Sequence, residues 1–190
     1  MREKLRFIGL GLIAALAAPG CAQISHLLAA PDSKMQLEAR GPGMVFPSIE
    51  AAAIDALIYT YLRADDERDT ERMRAGTIYS VETGYSYGEI HVASSVSFLK
   101  HQIDYPLKQR DVARFHMYPF VTDRDVNRGN ERASRADRRS VAVTDPLHRS
   151  LFILHPSLVI REYRAINYET VTVEVADLRH PKEGTLFAGQ

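Results

Sequence analysis

The chain has no tryptophan, a single cysteine and no net charge. With only Cys21 available, no intrachain disulfide forms and no zinc site built from several thiolates is open to it. Lys and Arg number 24 and so do Asp and Glu, which gives no electrostatic case for a nucleic-acid partner. The longest apolar run covers about a dozen residues, against the roughly twenty that cross a bilayer, so no membrane-spanning helix is expected. There is no internal repeat and no low-complexity tract. At 190 residues the chain is long enough for one domain that buries a core without disulfide staples.

What is there begins at the N-terminus. Arg2, Lys4 and Arg6 precede an almost wholly apolar stretch from Phe7 to Ala18, and Ala18-Pro19-Gly20-Cys21 follows. This resembles a bacterial lipoprotein signal peptide with its lipobox. The resemblance implies cleavage before Cys21 and acylation of its sulfur with palmitate-like chains. It also implies membrane tethering in the cell envelope. Because Ala22 follows the cysteine, it points to the outer membrane, facing the periplasm or the surface. Gly20-Cys21-Ala22 also suits ordinary signal peptidase, which would cleave after Ala22. Without the signal the chain carries two more acids than bases.

Residues 21–44 hold Pro31, Asp32, Ser33, Gly41, Pro42 and Gly43 and read as a flexible tether. Ile54, Leu57, Ile58, Tyr61 and Leu62 then fall on one face of a helix that Pro47-Ser48 opens. Residues 65–74 are a charged run, expected as a solvated helix end or loop. Strands are expected over 76–81 and 85–92, joined by Glu82-Thr83-Gly84 as a hairpin, and over 112–118. Residues 94–107 read as a short helix. Thr122 reads as the cap of a polar helix or loop running to Arg139, with Asp125 in its first turn. Strands are expected over 140–143, 150–154, 158–163 and 168–175, with a turn at Asp145-Pro146. The sum is an α+β domain over residues 45–178, a mixed, mostly antiparallel sheet flanked by helices, with a tail over 179–190.

One constellation carries possible chemistry. A strand delivers His116, Tyr118 shares its face two residues on, Pro119 ends the strand, and Thr122-x-x-Asp125 follows. The order resembles the His-x-His-Pro … Ser-x-x-Asp signature of JAB/MPN zinc metallopeptidases. The flanks are similar to the domain of unknown function 4329 family, a JAB-like group found in secreted bacterial proteins and in toxin settings. The similar stretches are Phe46-Pro47-Ser48-Ile49-Glu50-Ala51-Ala52, Gly76-Thr77-Ile78-Tyr79, the His116 strand and Leu158-Val159-Ile160-Arg161-Glu162-Tyr163, spanning residues 46–164. The resemblance implies zinc ligands at His116 and Asp125, Thr122 at the oxyanion, and a glutamate that polarises water.

This sequence departs from that pattern. Tyr118 stands where a second histidine belongs, and a neutral phenol is a poor zinc ligand. Met73 occupies the glutamate position; Glu71 lies nearby as a candidate and Glu82 or Glu89 could substitute, but none falls in register. The expectation is therefore a JAB-like scaffold with a decayed centre and no resident cofactor. Such a scaffold would serve as a protein- or peptide-binding module, with His116 and Tyr118 in the groove and an inhibitor or immunity role as one version. The alternative is a zinc-dependent peptidase or amidase of the envelope; a structural role in envelope assembly is a third reading. Each residue also has a plainer explanation, His116 as a hydrogen-bonded strand residue and Thr122 and Asp125 as helix-cap residues. The arginines between Arg124 and Arg139 read as a salt-bridged solvated face, or as a dock for a protein or anionic headgroups.

Overall fold

Ser48 starts the first helix. Its Oγ accepts from the Ala51 N–H at 3.0 Å, and α1 runs from Ile49 to Asp66. The expected apolar face is the buried one. Ile54, Leu57 and Ile58 face inward, and Ala52, Ala53 and Ala56 have no exposed surface, which lets the helix sit close against the sheet. The computed structural model describes residues 37–93, 110–143, 150–166 and 169–180. The signal segment with Cys21, the helix expected over 94–107, the Asp145-Pro146 turn and residues 181–190 lie outside them.

The strands are β1 (Arg74–Val81), β2 (Gly84–Tyr87), β3 (His91–Val92), β4 (Asp111–Met117), β5 (Ser150–Leu154), β6 (Val159–Ile166) and β7 (Glu169–Asp177). They form one sheet in the order β2-β1-β4-β5-β6-β7, with β3 also on β1. The β4–β5 pair is parallel and the other pairs are antiparallel. The domain is thus α+β with a mixed, mostly antiparallel sheet and helices on its faces, the fold class expected. The second expected strand is interrupted at Gly88-Glu89-Ile90, so β2 and β3 are separate pieces along one edge of β1.

Strand alternation sorts the core. Phe115 and its cross-strand partner Phe152 lie on the α1 side. There the Phe115 ring meets Tyr87 edge-on at 6.0 Å, and Tyr87 stacks on Phe46 at 6.1 Å. Gly76 is opposite Phe115, and a Cβ there would lie 2.6 Å from the Phe115 ring. Arg114 and His116 point to the other side, where Arg114 donates to the Ser140 carbonyl at 3.1 Å.

The polar stretch after Pro119 is two helices instead of one. α2 (Arg124–Gly129) is capped by Asp123, not Thr122: the Asp123 carboxylate accepts from Asp125 and Val126. α3 (Arg135–Val143) absorbs the strand expected over 140–143. Valine at 141 and 143 favours a strand locally, but Asp137 and Val141 are one helical turn apart and both face the core.

Arg74 and Asp55 are charged and buried, the first of them in the run expected to be solvated. Arg74 is 2 % exposed and pairs with Glu67 at 2.7 Å and Asp69 at 3.2 Å, closing the turn after α1. Asp55, on the apolar face of α1, accepts from Tyr87 Oη at 2.6 Å, from the Arg40 N–H at 2.7 Å and from the Gly41 N–H at 3.1 Å. These bonds hold residues 40–41, expected as the end of the tether, against the helix. Asp55→Ala strands two buried donors, Tyr87 Oη and the Gly41 N–H, and a half-buried one from Arg40. Its unfolding free energy should fall by about 3 kcal/mol, read from the urea midpoint.

Candidate functional site

Two elements meet at the expected centre. β4 carries His116, and Tyr118 lies one residue past its end, held by its N–H donating to the Leu154 carbonyl at 3.0 Å. From the helical layer comes Ser134-x-x-Asp137 at the start of α3. Ser134 Oγ accepts from the Asp137 N–H at 3.1 Å, and the Asp137 carboxylate accepts from the Ser134 N–H at 2.9 Å, a reciprocal cap. The Ser134 N–H also donates to Tyr118 Oη at 2.9 Å, and Tyr118 Oη donates to Asp137. The His116 ring stands edge-on to Tyr118 at 5.0 Å, with its Nε2 3.8 Å from the Asp137 carboxylate.

The network continues beyond Tyr118. His155 has no exposed surface. Its Nδ1 lies 2.6 Å from the Asn130 carbonyl and its Nε2 3.0 Å from Tyr163 Oη. A carbonyl only accepts, so Nδ1 carries the proton and the neutral ring accepts from Tyr163. Met73, Ala133, Val141, Leu151 and Ile153 pack around these groups as an apolar shell.

Burial sets the electrostatics. It lowers the pKa of His116 against the partial support of Asp137. It lowers His155 to about 4, with Arg161 adding to the effect. Tyr118 is raised, first by burial and then by the Asp137 charge. Burial alone would raise Asp137, but His116 and the bonds from Ser134 and Tyr118 outweigh it and hold it below the usual range. At neutral pH the site therefore contains two neutral imidazoles, a protonated phenol and one carboxylate.

The structure places the expected residues differently. His116 and Tyr118 are together and buried as neighbours. The Asp125 side chain is 87 % exposed on α2 and pairs with Arg128 at 3.5 Å, so it does not meet His116. Thr122 and Glu71 are exposed and take no part. The carboxylate beside His116 is Asp137, and the hydroxyl residue preceding it is Ser134. The signal was present in the sequence, because Ser134-x-x-Asp137 repeats the Thr122-x-x-Asp125 spacing one helix later. Met73, at the expected glutamate position, belongs to the apolar shell. Among the described residues no three of His, Cys, Asp and Glu converge so as to hold a metal ion. His116 and Asp137 supply two donors where a catalytic zinc takes three protein ligands and a water, and Tyr118 is bonded to one of them. Among the described residues the donor set at this centre does not fit zinc.

Open space lies on the opposite face of the sheet. Clefts of about 280 Å³ and 460 Å³ flank the outer ridge of α1 and share Tyr59, Arg63 and Glu67 as walls. The smaller also meets Arg74, Glu89 and Val92. No family model, curated protein or solved structure matches this chain. No helix among the described residues is long and apolar enough to cross a membrane.

The buried imidazoles make stability pH-dependent. Above about pH 6.5 His155 is neutral in both states and contributes no slope. Between about 6.5 and about 4 the unfolded chain takes up a proton that the folded chain refuses, so stability falls as pH falls. His155 should account for about 3 kcal/mol of that loss, and His116 adds to it in the same direction. Urea unfolding at pH 7 and pH 4.5 should show the decline, and His155→Gln should flatten it by about that amount. Equal slopes in the two proteins would refute the assignment.

Proposed function

We propose that this chain is a non-catalytic, membrane-tethered module of the bacterial cell envelope that binds a protein or peptide partner. On this reading a JAB-like scaffold has lost its hydrolytic centre. The observation that carries it is the Tyr118 hydroxyl bonded to the Asp137 carboxylate. A phenol occupies the place of a second metal-binding imidazole and ties up Asp137, the one acid among the described residues that lies beside His116. The apolar shell with Met73 at the glutamate position leaves no carboxylate there to activate a water.

The clefts beside Tyr59, Arg63 and Glu67 supply the binding surface, with aromatic, apolar and charged walls suited to an extended peptide. The lipobox-like Ala18-Pro19-Gly20-Cys21 supports acylation of Cys21 and an envelope location. An inhibitor or immunity role is the specific version that the family resemblance favours.

One observation favours the competing reading, a zinc-dependent peptidase or amidase. His116 Nε2 is buried without a hydrogen-bond partner. Elemental analysis of the full chain purified without chelator separates the two. The wild-type chain should carry far less than one zinc per chain. Tyr118→His sets a second imidazole beside His116 and Asp137, completes a three-ligand set and should bring zinc towards one per chain. A wild-type protein near one zinc per chain that loses it in His116→Ala would overturn the non-catalytic reading.

A further inference from the structure

Residues 124–139 carry six exposed arginines: Arg124, Arg128, Arg132, Arg135, Arg138 and Arg139. Three acids lie in the same stretch and Asp123 just precedes it, and the structure shows where each is spent. Asp123 caps α2 and Asp125 pairs with Arg128. Glu131 turns inward, accepting from the Ser157 N–H at 2.7 Å and Ser157 Oγ at 2.6 Å. Asp137 is committed to Tyr118 and Ser134. Among the described residues no carboxylate pairs with Arg124, Arg132, Arg135 or Arg139. The salt-bridged face expected from the alternating charges is therefore a face of net positive charge.

Helix geometry gathers that charge. On α3, Asp137 and Val141 face the core, so Arg135, Arg138 and Arg139, spaced i, i+3 and i+4, line the outer side. The stretch contains no lysine. Arginine's planar fork binds phosphate oxygens two at a time, which an ammonium cannot do. The chain as a whole is neutral, so this is a local patch and not a general excess of charge.

We propose that the outer face of α2 and α3 is a second attachment surface, which lays the domain onto a membrane rich in anionic phospholipid through arginine–phosphate contacts. The proposal rests on the reading that Cys21 tethers the chain to a membrane. A tether keeps the patch within reach of headgroups and raises their effective concentration, so contacts that are weak singly suffice.

The test uses the full chain with Cys21→Ala, which cannot be acylated, floated with vesicles of phosphatidylcholine alone or mixed with phosphatidylglycerol. Arg2, Lys4 and Arg6 at the N-terminus also favour anionic vesicles, so the patch is read from the difference between this chain and the same chain with the patch arginines replaced. Binding should favour the anionic vesicles and weaken as salt is raised. Arg132→Gln, Arg135→Gln and Arg139→Gln together should weaken binding to the anionic vesicles by roughly fivefold per arginine and leave binding to phosphatidylcholine unchanged. These side chains are exposed, and unchanged circular dichroism would certify the fold. Equal binding to both vesicles, or an unaltered triple variant, overturns the proposal. So does binding of the same surface to a polyglutamate peptide without any vesicle preference, which marks a protein dock. The intact mass of the wild-type chain reads acylation of Cys21 separately, so failure of the tether and failure of the patch are distinguishable.

Discussion

The Tyr118 hydroxyl joins the two halves of the site. It donates to Asp137 and accepts from the Ser134 N–H, so one side chain at the end of β4 fixes the first turn of α3. The first turn of a helix has unsatisfied N–H groups, and here a residue from the sheet helps to satisfy one of them. The position of α3 follows from this contact, and so do the burial of His116 and the closure of the shell around Met73, Val141 and Ile153. A buried polar network of this kind holds only if its members are satisfied together. His116 Nε2 is the exception, which is why this corner attracts a catalytic reading and why the details of its partners decide it.

Asp55 plays the corresponding part on the other face. A carboxylate on the apolar side of α1 collects a phenol from β2 and two backbone donors from residues 40–41. One face of the sheet is thus organised by Tyr87 and Asp55, the other by Tyr118 and Asp137. The two faces differ in what they leave open. On the α1 side the helix ridge stands between clefts; on the other the polar groups around Tyr118 are sealed beneath apolar side chains, and the arginines of α2 and α3 reach outward. Binding on one side and contact with an anionic surface on the other are compatible uses of such a layered domain.

Much of the fold was legible. The 3.6-residue spacing of Ile54, Leu57, Ile58, Tyr61 and Leu62 located α1, and β-rich runs located β1, β4, β5 and β6, because those elements bury the residues their local pattern singles out. The site was half legible. His116 and Tyr118 were found from the strand that carries them, but the acid was placed at Asp125. Two hydroxyl-x-x-acid spacings occur in the same polar stretch, and nothing local says which lies against the sheet. That choice is made by Tyr118, a contact across sixteen residues. Residues 140–143 were lost in the same way, since valine propensity is weaker than a capped helix with a buried face. In β7, Val171, Val173 and Val175 alternate with Thr170, Thr172 and Glu174, which marks a strand but not its environment: Val171 and Val173 are each 38 % exposed, whereas Ala176 is buried. Alternation shows that a strand has two faces and leaves open which of them is covered.

The measurement that bears most directly on the closed centre is a crystal structure of the unmodified chain grown with excess zinc. The account predicts that Tyr118 Oη stays bonded to Asp137 and that no metal lies between Asp137 and His116. A zinc ion coordinated by His116 and Asp137, with the Tyr118 ring swung aside, would contradict it.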